Sequence, residues 1–390
     1  MTVKWLTKGL AAFRRKGERF LVVEIFEHNN RAAYIQADFQ NKAIKFVKVL
    51  SHLDLGKLLK KFGRLSKYKI ILSLDSHLAS TIYSSVVLVR ENYKELVDEP
   101  ELDNLISQAI WKFFDRQRNK VSAKLGVTDL DIVLTDVKIR GIKLDGHKVV
   151  NPMGFKAKTV EVQFSQTFLV REYINKLKEL LPLTDGIFAA ENGTAFASVM
   201  SKSNPKDNFL IANIFKNKTL LFLFDGSQSG YLDKFNWGED NLNKSLASDL
   251  SVESDVAGLV IHKYLRNEVS QSFKRRLEGL LLKELAFLAR GLNVACKKTD
   301  AETIYLHPFF NFPAIFSGSF RSHFDRQVDL SVLDHQLISK NFGFDIKFKN
   351  SGDVDASFSF LASLLEWYLS PHEDKMSQLA KRRVRWLSSL

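Results

Sequence analysis

The sequence predicts an α/β protein made of a duplicated unit, with a smaller α/β segment inserted into its first half. Three observations carry that expectation. The runs FLVVEIF at 20–26 and FLIANIF at 209–215 open two halves alike, each followed by a short polar break and a second strand pattern. Strand-like and helix-like periodicities alternate along the chain instead of segregating. Long helical patterns at 101–124 and 269–292 follow β-rich stretches in both halves. Two unrelated apolar hairpins would read the same way at this level, so the repeat alone leaves the duplication open.

The elements follow in order. Residues 20–26 and the alternation through 31–49 read as a β-meander, and 52–62 as a helix. Runs at 69–74, 82–89 and 132–144 read as strands, with the 101–124 helix between them. A strand at 160–170 precedes a helix at 172–181. In the second half, 209–215, 220–225 and 231–235 read as strands and 242–250, 256–265 and 269–292 as helices. A short buried strand at 304–306 and an apolar helix at 357–369 close the body. Pro371 and its polar neighbours link to the tail.

The chain has 390 residues, 45% apolar and 26% charged, which suits a folded protein of two or three domains. The one cysteine, Cys296, allows no internal disulfide and no thiolate cluster for zinc, and points to a reducing cytoplasm. No stretch approaches the ~18 uninterrupted apolar residues of a spanning helix, and the charged N-terminus does not read as a secretion signal. The net charge is +13, but residues 1–16 and 375–390 each carry five cations and no acid, which leaves +3 for the 358 residues between. A nucleic-acid binder spreads its cations along a groove with stacking aromatics. Short basic ends with Trp and Leu suit an anionic membrane surface better. Nucleic acid is therefore not an expected partner.

Several segments, in order, raise a family resemblance. GIKLDGHKVVNPMGF at 141–155 resembles a passage of FtsA-like cell division proteins, in which an Asp-Gly turn and a Pro-x-Gly bend lead the chain out of an inserted subdomain. The small-residue stretch 190–200 is similar to a closely packed helix of that family. In 237–264, Gly238, Asp240, Ala247, Leu250, Ala257, Lys263 and Tyr264 match the family's Gly-Gly-Asp turn and the two helices after it, allowing a slip of one or two residues. The helix at 358–369 and the tail resemble its closing helix, linker and membrane helix. The resemblance covers roughly 20–390. It implies an actin-like (ribonuclease H-like duplicated) fold with an inserted small α/β subdomain in place of the usual actin subdomain. The expected parts are a basic amphipathic segment at 1–19, a first core part at 20–68, the insert at 69–165 and the rest of the first half at 166–205. The second half, with a helical subdomain, would span 206–370, and a linker with a membrane helix 371–390.

Against that family the phosphate-binding motifs are altered. Actin-like ATPases hold phosphates on two hairpins that begin Asp-Ile-Gly, where Gly lets backbone N–H groups come close. Here they read Glu24-Ile25-Phe26-Glu27 and Asn213-Ile214-Phe215-Lys216, and a benzyl group at each contact would obstruct that approach. The glycine-rich adenosine segment would fall at 304–310, which has no glycine, and Gly258 stands where a glutamate would meet the nucleoside. Vestigial nucleotide contacts would be Glu24, Asn213, Gly238 and Lys263. No cofactor is expected, and ATP with magnesium would bind only if the pocket still works. Glu24 and Asp75 are the other candidate acids, and the nine histidines form no ligand-spaced pair.

At 100° per residue the tail places Met376, Leu379, Ala380, Trp386, Leu387 and Leu390 in one sector, with Lys381, Arg382 and Arg385 beside or opposite it. Arg383 falls inside the apolar sector and would have to snorkel. The expected membrane contacts are Leu379, Arg382, Arg383, Arg385, Trp386, Leu387 and Leu390, and Val3, Leu6, Leu10 and Phe13 give the N-terminal segment a similar face. An ordinary helix docked on the body is the plain alternative for the tail. The resemblance implies an adaptor that tethers a filament-forming partner such as FtsZ to the cytoplasmic face of the bacterial inner membrane at the division site. Self-assembly is a further expectation of the resemblance, whereas the altered phosphate motifs argue against ATP hydrolysis. The alternatives are a divergent ATPase of the same fold and a PilM-like component of a type IV pilus platform.

Overall fold

The computed structural model describes residues 17–26, 29–181, 187–203, 208–225, 229–349, 357–370 and 380. β1 (Glu18–Ile25), β2 (Asn30–Asp38) and β3 (Ala43–His52) form an antiparallel meander. β4 (Lys69–Leu74) joins β1 in parallel, and β9 (Ile187–Glu191) joins β4 in parallel. In the second half, β10 (Phe209–Ile214), β11 (Thr219–Phe224) and β12 (Ser229–Phe235) make the same meander. β13 (Thr303–Pro308) and β14 (Asp329–Val332) extend it in parallel. The orders β3-β2-β1-β4-β9 and β12-β11-β10-β13-β14 correspond strand for strand. The duplication read from two hairpins therefore holds across five strands on each side.

Every residue of β1 from Phe20 to Ile25 is buried, because both faces of its sheet are covered. Phe20 and Val22 point into one apolar cluster, and Leu21, Val23 and Ile25 into another. β10 repeats this, with Phe209 and Ile211 on one side and Leu210, Ala212 and Ile214 on the other. The shared cluster lies between the two sheets and contains α4 (Asn192–Ser203) and α10 (Ser357–Leu369). Outside the first sheet lie α1 (Leu55–Lys60) and α3 (Arg171–Leu180); outside the second lie α5 (Glu239–Leu250), α6 (Ser254–Leu265) and α7 (Gln271–Thr299). Two short helices, α8 (Gly318–Arg321) and α9 (His335–Phe342), flank β14. β15 (Asp345–Phe348) then crosses back and pairs with β3 at the edge of the first sheet.

The insert is a four-stranded sheet of order β5-β8-β6-β7, built from β5 (Ala79–Val89), β6 (Ile132–Leu144), β7 (His147–Val149) and β8 (Thr159–Val170). The long helix α2 (Glu99–Leu125) packs on one of its faces. It starts at Ala79 and ends at Val170, not at 69–165. The apolar run at 69–74 pairs with β1 in the core sheet, and β8 continues five residues further to meet β6. Asp145 and Gly146 both have positive φ, as the Asp-Gly turn between β6 and β7 requires. Among the described residues, no helix is long and apolar enough to cross a membrane.

Candidate functional site

The strands that lead each half, β1 with β4 and β10 with β13, point their C-terminal ends at a common cleft. An open α/β sheet places its ligands at such a crevice. The two hairpins facing it come from matching positions. Phe26 follows β1 and Phe215 follows β10, while Asp75 follows β4 where Phe309 follows β13. Phe26 meets Phe215 and Phe309 edge-on at 5.6 and 4.8 Å between centroids, and Phe215 stacks on Phe309 at 4.4 Å. Each such pair is worth about 0.5–1.5 kcal/mol beyond its burial. The cluster joins the two halves of the molecule.

Arg31 stands against these rings, with its guanidinium carbon 5.5 Å from the Phe26 centroid, 5.2 Å from Phe309 and 5.3 Å from Phe360 of α10. Its Nε donates to Glu24 Oε2 at 2.8 Å and its Nη2 to Ser359 Oγ at 3.0 Å. Burial pushes the Glu24 carboxyl above its usual range, and Arg31 opposes that rise. Glu24 is thus a structural counter-ion for Arg31.

Asn213 sits at the position in β10 that corresponds to Glu24 in β1. It donates to Asn192 Oδ1 at 3.0 Å, and Asn192 donates to Ser73 Oγ at 2.9 Å. This buried chain links β4, the start of α4 and β10. Asp75, 1% exposed, lies 3.0 Å from His77 Nδ1 and 3.8 Å from Lys218 Nζ. Burial works to raise its pKa, but His77 and Lys218 together hold the carboxyl below its ordinary value.

Gly238 precedes α5, whose N-terminal amides would face an anion. They are already engaged. Glu239 N donates to the Phe215 carbonyl at 3.1 Å and Asp240 N to the Lys216 carbonyl at 2.8 Å. The β10–β11 hairpin is pressed so close that a Cβ on Gly238 would lie 2.3 Å from the Phe215 oxygen. A helix start capped by backbone carbonyls leaves little donor capacity for phosphate. Beside the rings remains a cavity of about 250 Å³ whose walls include Asp75 and Glu239 as well as Lys216 and Lys218. Rings at both hairpin contacts and spent helix amides do not fit a nucleoside triphosphate.

Lys263 is exposed on α6. Gly258 faces Asn243 of α5, not the cleft; α6 instead presents His262, and Arg266 just after its end, to a cavity of about 510 Å³ that continues past His307, Phe310 and His335. Glu27 lies outside the described residues. So do the N-terminal segment and the membrane contacts Leu379, Arg382, Arg383, Arg385, Trp386, Leu387 and Leu390. In the tail only Ala380 is described. Its backbone is helical, and it is fully buried in the apolar cluster of the inserted subdomain.

Sequence reasoning missed two features. Arg31 gave no signal, because its role depends on rings as distant in sequence as Phe309 and Phe360. The second is a groove of about 600 Å³ between the insert and α4, lined by Arg140, Lys143, Lys148 and Lys202 with Glu161. Arg140 of this groove also belongs to a buried ionic cluster. Glu366 of α10 accepts from Arg140 Nη2 at 2.8 Å and from Lys138 Nζ at 3.2 Å.

No protein-family model and no curated protein sequence matches the chain. Solved structures do. A PilM–PilN type IV pilus biogenesis complex contains a chain similar to this one over 94% of its length and 98% of that chain, with a TM-score of 0.51 and 13% identity. A Bacteroides thetaiotaomicron protein with an actin-like ATPase fold covers 90% of this chain and 98% of its own, at a TM-score of 0.37 and 10% identity. The ethanolamine utilization protein EutJ of Carboxydothermus hydrogenoformans follows at 0.38 and 10% identity, over 84% and 88% of the two chains. The protein has the actin-like fold.

Proposed function

We propose that this chain is a non-catalytic, actin-fold docking protein of a cell-envelope assembly, nearer to the PilM kind than to the FtsA kind. The observation that carries the reading is the aromatic closure of the cleft: a fold whose phosphate contacts are occupied by its own side chains is left with binding other proteins. The PilM chain, similar end to end, belongs to a complex with a protein partner. The groove beside the insert gives such a partner a place to dock. Lys148 and Lys202 are exposed at its rim, and an acidic segment of the partner would complement them. Chemical cross-linking in the native host, with mass spectrometry, should link this groove to one envelope protein, and Lys148→Glu with Lys202→Glu should abolish that link. Magnesium-dependent ATP turnover by the purified chain would overturn the reading.

The second reading is an FtsA-like adaptor that tethers FtsZ-like filaments to the inner membrane through its tail. The match at 237–264 and the basic amphipathic pattern of 376–390 favour it. Burial of Ala380 against the insert ranks it second, because that residue would have to leave protein to meet lipid. Flotation with anionic vesicles separates the two. The full chain should float and a version ending at Pro371 should not if the tail is an anchor. A fluorescent fusion should then mark the division septum, whereas the first reading expects it at pilus-type assembly sites.

A further inference from the structure

The actin-like fold implies a nucleotide at the cleft, and the residues here do not fit one. We propose that the Phe26, Phe215 and Phe309 cluster, with Arg31 against it, is a built-in clasp that takes the nucleotide's place. It holds the two halves closed without any ligand. The inference rests on the non-catalytic reading above and extends it from a lost activity to a fixed conformation.

The parts of the clasp come from both halves and from the end of the chain. Phe26 ends β1, Phe215 ends β10 and Phe309 ends β13, so each ring contact between Phe26 and the other two crosses the cleft. Arg31 adds a second crossing. Its guanidinium touches Phe26 of its own hairpin, Phe309 of the second half and Phe360 of α10, while it stays paired with Glu24 and bonded to Ser359. A cation on ring faces gains most where water is excluded, and only 14% of the Arg31 side chain is exposed. The β10–β11 hairpin cannot withdraw independently, since its carbonyls cap α5 and its backbone abuts Gly238. Opening the cleft would therefore part Phe26 from Phe215 and Phe309 and take the Arg31 guanidinium off Phe309, with the second hairpin moving as one piece with α5.

Hydrogen exchange read by mass spectrometry on the purified full chain tests this. Peptides spanning 18–38, 209–224 and 303–310 should exchange at the same slow rate with and without millimolar Mg-ATP, and Mg-ATP should leave the melting temperature unchanged. Phe309→Leu and Arg31→Gln should each speed exchange in those three peptides about tenfold or more, while peptides of the insert at 99–125 and 132–144 keep their rates. The retained protection of the insert shows that the variants still fold. Slower exchange of the wild-type hairpins on adding Mg-ATP overturns the clasp, and so does unaltered hairpin exchange in both variants. Loss of the clasp with no ATP turnover would leave the non-catalytic reading standing, so the two can fail separately.

Discussion

Glu366, on the closing helix, accepts a hydrogen bond from Arg140 of the inserted subdomain at 2.8 Å across 226 positions of sequence. Burial alone would raise the carboxyl's pKa, but the charges of Arg140 and Lys138 outweigh it and hold the group at about 2. The pair fastens the insert to the core. Glu366→Gln leaves two cations facing a neutral amide, and should cost about 3–5 kcal/mol of unfolding free energy in urea titrations.

The same carboxylate predicts an acid limb. Its folded pKa lies below the ordinary value of 4.5, so its contribution is complete above pH 4.5 and is lost as pH falls toward 2. Stability of the wild type should drop by roughly 3 kcal/mol more across that window than stability of Glu366→Gln.

His307 acts at milder pH. Burial first, and the nearby Arg31 charge second, push its pKa down to about 3. The unfolded chain takes up a proton near pH 6.5 that the folded chain refuses, so stability falls as pH drops below 6.5. The slope approaches ~1.4 kcal/mol per unit. His307→Phe should flatten that slope between pH 6.5 and 5 in urea titrations.

Gly238→Ala should destabilise by about 1–3 kcal/mol, since the new methyl would collide with the Phe215 carbonyl and the hairpin would have to shift. Gly279 provides the control. It lies on an exposed face of α7 with nothing within 4 Å of an added Cβ, so Gly279→Ala should stabilise by about 0.5–1 kcal/mol. Thermal melts compare the two.

Much of the fold was legible because it is written in local patterns. The paired hairpins and the helices at 101–124, 242–250 and 256–265 lie where periodicity puts them, and the apolar run of 357–369 is α10 to the residue. The insert's start was not legible, because a buried strand such as β4 looks the same in either sheet. β14, α9 and β15 were missed for a related reason. They are short, half-exposed pieces that gain their structure from strands already in place. At the site, replacement of glycine by Phe26 and Phe215 could be read directly as an obstruction. That the rings meet each other, and that Arg31 ties them to α10, depends on three segments converging from opposite ends of the chain.

β15 and α10 carry a consequence for how the molecule is made. The edge of the first sheet and the helix that covers its inner face come from residues 345–369, the last part of the body to be synthesised. At ~5–20 residues per second, the first sheet waits tens of seconds on the ribosome with an apolar face uncovered. Vectorial synthesis therefore cannot finish the two halves in turn, and the first becomes native only when the second does.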